Sequence, residues 1–169
     1  QEVFLKEGLP ADLVYLSMIE SGLNPAAVSR ARAVGLWQFI YTTGKLYGLE
    51  RNEWMDERRD PVKSTKAAAQ HMKDLFKLYD DWNLVMAAYN CGAGRVSRSI
   101  QSGVADYWRI DLPSETDNYV PTYMAALIIS KAPEIFGFEN IEKEPPFEYE
   151  TVEVRPTLKL SDAAKCVGV

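Results

Sequence analysis

An acidic side chain, Glu20, ends an otherwise apolar stretch with the sequence YLSMIESGLNP, residues 15–25. Leu13, Leu16 and Glu20 are spaced i, i+3 and i+7, so a helix places all three on one stripe. Because the two leucines must face a core, Glu20 is carried to the rim of that core, where lost hydration raises its pKa. The negative end of the helix dipole acts in the same direction. A carboxyl group that keeps its proton near neutrality is suited to general acid catalysis at a glycosidic bond.

The same spacing is compatible with other surroundings for Glu20. Its carboxylate can pair with Arg30 or Arg32, which are close in sequence, or it can extend from the helix end into water. Most glycoside hydrolases use two carboxylates. Asp12 cannot be the second one, since it precedes Glu20 by more than two helical turns, roughly 12 Å along the axis. A distant segment can still deliver a partner, so the number of acidic groups at the site stays open.

Helical patterns dominate the elements that would position this residue. The first helix is expected at 10–21 with its end at Gly22, and the apolar spacing within 35–48 predicts a second. A long amphipathic helix should follow the N-cap Asp60. Three more helical segments come after it: WNLVMAAYN, GRVSRSIQSG and LPSETDNYVPTYMAALIISKA. The last should begin at a capping Ser114. These patterns predict a mainly α fold.

The sequence changes character at Pro145. A strand is predicted from Tyr149 to Val154, followed by a short helix from about Ser161. A lone strand cannot form a sheet by itself. We therefore expect a helical domain at 1–144 and a short strand/helix appendage or linker segment at 145–169.

Composition favours one soluble globular domain and excludes some classes of partner. The 169 residues are 47% hydrophobic and 25% charged, with a net charge of -5, which argues against nucleic acid as a partner. Cys91 and Cys166 have no metal-site spacing; we expect free thiols, while one disulfide between them stays open. No apolar run reaches membrane-spanning length. The chain starts at Gln1 within a polar stretch, so we expect an excised or processed piece.

Four motifs in a fixed order add a family resemblance: ESGLNP, VSRARAVGLWQF, AAYNCGAGRV and ETDNYVPTYMAAL. This series resembles the lytic transglycosylases of the goose-lysozyme-like (SLT) superfamily, over roughly residues 8–132. It is most similar to the membrane-bound type that often carries LysM modules after the catalytic domain. The resemblance implies a lysozyme-like helical domain with a groove.

Residue roles follow from the resemblance only where this chain matches the family motifs. Glu20 stands at the position of the sole catalytic acid/base. The positions that would bind the substrate are Ser21, Ser29, Gln38, Tyr89, Asn90 and Tyr119. Gly35 should let the backbone approach the substrate closely. Trp37 replaces the methionine common in the family, and its indole offers an apolar wall or a floor on which a sugar stacks. His71 is expected on a helix surface.

The implied reaction is non-hydrolytic cleavage of the β-1,4 bond between N-acetylmuramic acid and N-acetylglucosamine in peptidoglycan, with formation of a 1,6-anhydro ring. One glutamate would serve first as acid and then as base, with no metal or organic cofactor. Peptidoglycan glycan strands would be the partner of a monomer in the bacterial periplasm or at the outer membrane, with LysM modules or other envelope proteins as further partners. Two alternatives stay open: a lysozyme- or chitinase-like hydrolase on the same fold, and a non-catalytic glycan-binding domain.

Overall fold

The computed structural model describes residues 1–100, 103–141 and 159–167. The chain divides into two compact units, Gln1–Phe138 and Glu139–Val169. The predicted boundary after residue 144 and the predicted strand Tyr149–Val154 lie outside the described residues. Within those residues, no helix is long and apolar enough to cross a membrane.

The first unit is built from helices joined by short turns and one long irregular loop. The α-helices are α1 (Glu2–Lys6), α2 (Leu16–Ser21), α3 (Tyr41–Leu46), α4 (Pro61–Tyr79), α5 (Trp82–Cys91), α6 (Ala93–Ile100) and α7 (Ser114–Lys131). Short 3-10 helices span Ala11–Tyr15, Glu57–Arg59 and Pro133–Phe136. In the second unit, α8 covers Leu160–Val167, close to the helix predicted from Ser161. The prediction of a mainly helical chain is confirmed.

Helix α5 is the centre of the first unit because its middle turns are almost wholly apolar. Residues 84–88 of this helix are all buried, and α5 packs against α4, α6 and α7. Helix α4 begins as predicted, since the Asp60 carboxylate accepts hydrogen bonds from the backbone N–H groups of Val62 and Lys63. Met72 and Leu75 then bury its apolar stripe. This packing supplies the rigid back wall of the site.

Helix α7 contains a proline, and a tyrosine from the segment before the helix compensates for the hydrogen bond that the proline cannot make. Pro121 lacks an N–H, so the carbonyl four residues earlier, at Asp117, loses its helical donor. The buried Tyr107 hydroxyl lies 2.8 Å from that carbonyl oxygen and 2.7 Å from that of Thr116, so its one proton is shared between the two acceptors. The predicted cap is wrong: Ser114 is the first helical residue, Pro113 takes the N-cap position, and no side chain caps this end.

The segment from 22 to 40 is an irregular loop, which corrects the helix predicted at 35–48. Isolated β-bridges pair Val34 with Val28 and with Phe39, and only Tyr41–Leu46 is helical. Within 35–40, where the helix was predicted to begin, Gly35 (φ 85°) and Gln38 (φ 46°) have left-handed backbone conformations. Such conformations cannot continue a right-handed helix, although the apolar spacing suits one.

A buried guanidinium group holds this loop in place. Arg58 is 4% exposed, and its Nε and Nη2 atoms donate to the two carboxylate oxygens of Asp56 at 2.9 and 2.6 Å. Its Nη1 donates to the carbonyl oxygen of Phe39 at 3.0 Å. The Arg58 guanidinium also holds the pKa of the Asp56 carboxyl below its usual range. A paired, hydrogen-bonded charge of this kind tolerates burial.

Gly35 lies directly against the same arginine. A Cβ atom at this position would meet the carbonyl oxygen of Arg58 at 1.9 Å, and the positive φ adds strain for any other residue. The close approach predicted at Gly35 is therefore present, but the chain's own backbone is the neighbour, whereas a substrate was expected.

Candidate active site

A groove with a volume of about 870 Å³ collects most of the predicted site residues. Six of the predicted positions line it: Glu20, Ser29, Gln38, Tyr89, Asn90 and Tyr119. They come from four separate parts of the chain, namely α2, the loop at 22–40, α5 and α7. The fold therefore brings together motifs that are far apart in sequence.

Glu20 stands at the boundary between the core and this groove. Leu13 and Leu16, on the same helical stripe, are 3% and 0% exposed, whereas Glu20 is half-buried. The Tyr119 hydroxyl donates to Glu20 Oε1 at 2.5 Å. The ion pair with Arg30 or Arg32 that the sequence left open is not formed in the described part of the chain.

The surroundings of Glu20 raise its pKa from 4.5 to about 7. Burial is the largest cause, because the ionised carboxylate loses hydration. The hydrogen bond from Tyr119 acts in the opposite direction by stabilising the carboxylate, and the negative charge of Glu115 raises the pKa further. Near neutral pH the carboxyl and carboxylate forms are therefore both populated, so one group can donate a proton and later accept one.

Glu115 is a groove residue that the sequence reasoning missed. It lies in the motif ETDNYV, four positions before Tyr119, and both side chains line the groove. The i, i+4 spacing on α7 was a usable signal, because residues four apart share a helix face. Asp12, the other acid considered, forms an ion pair with Lys131 at 2.5 Å and does not belong to the groove lining. Glu115 is thus the second carboxyl group of the groove.

Tyr89 and Asn90 connect α5 to the two neighbouring walls. The Tyr89 hydroxyl donates to the carbonyl oxygen of Trp37 at 2.8 Å, which ties α5 to the irregular loop. Asn90 Oδ1 accepts from the hydroxyl of Thr116 at 2.8 Å, which ties α5 to α7. Since its carbonyl oxygen is engaged, Asn90 can offer its amide N–H groups to a ligand.

Gln38 and Ser29 sit on the loop side of the groove with part of their polar capacity in use. Gln38 Nε2 donates to the carbonyl oxygen of Gly35 at 2.7 Å. Ser29 Oγ accepts from the backbone N–H of Ala33 at 3.0 Å, so its hydroxyl proton is still available to an acceptor. The left-handed conformation of Gln38 is strained for a residue with a side chain, and such strain concentrates at functional sites.

Ser21 differs from the other predicted residues. Its hydroxyl shares one proton between the carbonyl oxygens of Ser17 at 3.0 Å and Leu36 at 2.9 Å, and Ser21 does not line the groove. We therefore assign Ser21 to positioning: it fastens the end of α2, and with it Glu20, to the irregular loop.

Three other expectations need correction or completion. The Trp37 indole is 1% exposed and its Nε1 donates to Thr65 Oγ1 at 2.9 Å, so it is a core residue and not a floor for a sugar. His71 was expected on a helix surface but is half-buried in the groove wall. Cys91 is a free, half-buried thiol that lines the groove. The side chain of Cys166 lies outside the described residues.

Comparison with known proteins identifies a family and two relatives. The family model described as "Transglycosylase SLT domain" matches residues 5–106, more than half of the chain. Two curated relatives, both named membrane-bound lytic murein transglycosylase D, come from Escherichia coli strain K12 and E. coli O6:H1 strain CFT073. Each is 37% identical over 170 residues, covering 97% of this chain.

The present chain spans only 38% of the length of those E. coli relatives. The matched family region contains Glu20, the irregular loop and α5, while α7 with Tyr119 falls beyond it. Taken together, the helical fold, the groove and the extent of the match show that this chain belongs to the transglycosylase SLT domain family.

Proposed function

We propose that this domain is a peptidoglycan lytic transglycosylase with Glu20 as its single proton-transferring group. The observation that carries the proposal is a half-buried carboxyl group with a pKa of about 7, hydrogen-bonded to Tyr119 and open to a groove. The name of the E. coli relatives, lytic murein transglycosylase, supports murein as the substrate.

In the first step, the protonated Glu20 donates its proton to the glycosidic oxygen that leaves with N-acetylglucosamine. The bond from C1 of N-acetylmuramic acid to that oxygen breaks, and the acetamido group at C2 shields the oxocarbenium-like centre. Tyr119 stabilises the carboxylate as it forms, since its hydroxyl already donates to Oε1.

In the second step, the Glu20 carboxylate accepts the proton of the C6 hydroxyl, whose oxygen attacks C1 and closes the 1,6-anhydro ring. Glu20 ends the cycle protonated, and no water is consumed. A pKa of about 7 suits both steps, because neither protonation state is strongly disfavoured at neutral pH.

Purified sacculi digested by the protein provide the test. Mass spectrometry should find anhydromuropeptides, each one water lighter than the hydrolysis product, and Glu20→Gln should abolish their release. Fragments with only reducing ends would overturn the lyase assignment, and an undiminished rate in Glu20→Gln would overturn the role of Glu20.

Hydrolysis of the same bond is the second candidate, because Glu115 places another carboxyl group in the groove. An inverting hydrolase needs such a group to activate water on the opposite face of the sugar. Glu115→Gln should leave anhydro products in place if the lyase proposal is right and abolish turnover if Glu115 is the base. A non-catalytic glycan-binding domain would retain sacculi without releasing fragments of either kind.

We infer a place in the bacterial cell envelope from the substrate and from the membrane-bound relatives. We also propose that LysM modules or other envelope proteins are partners of this domain. We further propose that the protein is a monomer.

A further inference from the structure

The only histidine of the chain, His71, is built into the groove wall between aromatic side chains. Its ring centroid lies 4.9 Å from that of Tyr47, 5.2 Å from that of Tyr89 and 6.2 Å from that of Phe39. Tyr47, Tyr89 and Phe39 also line the groove. The four rings form one continuous aromatic cluster, which we call the ring wall.

The two nitrogens of His71 have different surroundings. Among the described residues, its Nδ1 is the one fully buried side-chain nitrogen or oxygen without a hydrogen-bond partner. Nε2 also makes no hydrogen bond within the described residues, but it is not fully buried, and His71 lines the groove, so Nε2 is the ring nitrogen that a ligand in the groove can reach. An orphaned buried N–H is rarer in proteins than an orphaned acceptor, so the neutral tautomer with its proton on Nε2 is favoured.

The histidine is neutral under ordinary conditions. Burial lowers its pKa to about 4, and the nearby Asp74 carboxylate opposes this effect without cancelling it. A neutral imidazole with its proton on Nε2 presents a single N–H donor to the groove, surrounded by apolar ring faces. Such a surface fits a group that combines a carbonyl oxygen with a methyl, and it does not attract an anion.

Tyr89 connects the ring wall to the Glu20 carboxyl group within the groove. The pKa of Tyr89 responds to the charge of Glu20, whereas that of His71 responds to Asp74 on its own helix. Tyr89 is thus close to both residues: its ring centroid lies 5.2 Å from that of His71, and all three side chains line the groove. A glycan strand bound across Glu20 and along this wall places a further sugar unit against His71.

We propose that His71 and Tyr47 form a sugar subsite that recognises an acetamido group, with His71 Nε2–H donating to the acetamido carbonyl oxygen. The acetamido methyl packs against the Tyr47 ring. This proposal rests on the proposed function, because a polymer of N-acetylated sugars supplies such a group at every position. It adds a residue that selects the sugar bound beyond the cleavage point.

Titration of the Glu20→Gln variant with chitohexaose, followed by NMR of the imidazole, tests the contact directly. Since the chain has a single histidine, its resonance needs no assignment by mutation. Chitohexaose should shift it, and cellohexaose, which carries a hydroxyl in place of each acetamido group, should not. No shift with chitohexaose, or equal shifts with both sugars, would overturn the proposal.

Kinetics of His71→Phe on soluble glycan strands separate binding from packing. Phenylalanine keeps a ring in the wall and removes the donor, so KM should rise roughly three- to tenfold with kcat unchanged. Trp54→Phe is the control, because the Trp54 side chain is 92% exposed and does not line the groove. An unchanged KM, or a fall in kcat, would overturn the subsite. A wild-type protein that releases no anhydro products would defeat the proposed function and leave the NMR result standing.

Discussion

Replacement of Glu20 by glutamine should stabilise the folded protein at neutral and alkaline pH, although it removes the proposed catalytic group. Glutamine is close to glutamate in size, and its carbonyl oxygen can still accept the hydrogen bond from Tyr119. It cannot ionise. The substitution therefore removes one cost from the folded state, that of a charged carboxylate in a partly dehydrated groove.

The magnitude follows from the pKa. The pKa of Glu20 rises from 4.5 in an ordinary environment to about 7 in the folded protein. Since a tenfold change in proton affinity corresponds to about 1.4 kcal/mol, the charged form is disfavoured by about 3 kcal/mol in the folded protein. Between these two pKa values the folded state binds more protons than the unfolded state, so wild-type stability falls as pH rises through this interval. Below 4.5 the carboxyl is protonated in both states and the penalty vanishes.

Urea unfolding of both proteins across a pH series measures the effect. The variant's advantage in the free energy of unfolding should grow from near zero below about pH 4 to about 3 kcal/mol above about pH 8. The same substitution at the exposed Glu53 is the control and should change stability by less than about 0.5 kcal/mol at every pH. An advantage that is absent at pH 8, or equal at all pH values, would refute the raised pKa of Glu20.

Three further predictions concern the same site and its support. Tyr119→Phe removes a hydrogen bond that favours the carboxylate, so the alkaline limb of the pH profile of kcat/KM should move above about pH 7. Glu115→Gln removes a negative charge near Glu20, so the alkaline limb should move below about pH 7. If Tyr119→Phe and Glu115→Gln shift this limb in the same direction, the opposite effects assigned to these two side chains on the pKa of Glu20 are wrong. Gly35→Ala should lower stability by at least about 3 kcal/mol in thermal or urea unfolding, because its Cβ meets backbone. Gly48→Ala is the matched control, because φ is 79° there but the space around a Cβ is open. This variant should lose about 1 kcal/mol of stability. Equal losses in the two variants would refute the close contact between Gly35 and the Arg58 backbone.

Local sequence patterns predicted the elements whose formation depends on nearby residues. The stripe of Leu13, Leu16 and Glu20 was correct because helical periodicity is a property of neighbours in sequence. The start of α4 at Asp60 was correct for the same reason, since a cap bonds to N–H groups two and three positions away. The order of the four motifs was sufficient to predict the family.

Where the apolar spacing misled, the backbone was set by distant partners. The segment 35–48 has apolar residues at helical intervals, yet its first part is an irregular loop held by Arg58. His71 follows three alanines at 67–69 and was expected on a helix surface, but the rings of Tyr47 and Tyr89 pack beside it. Spacing along a helix predicts a face, and it does not predict what packs against that face.

Local sequence was enough to predict most of the helices, α4 and α5 among them, and an acidic residue at the edge of the core where α2 ends. The groups that surround this residue, and therefore the size of its pKa shift, follow from the tertiary structure. The Tyr119 hydroxyl reaches Glu20 from 99 positions away, and Glu115 comes with it on the same helix. A pKa depends on burial and on charges within a few ångströms, and contacts of that range between distant segments exist only after the helices have packed.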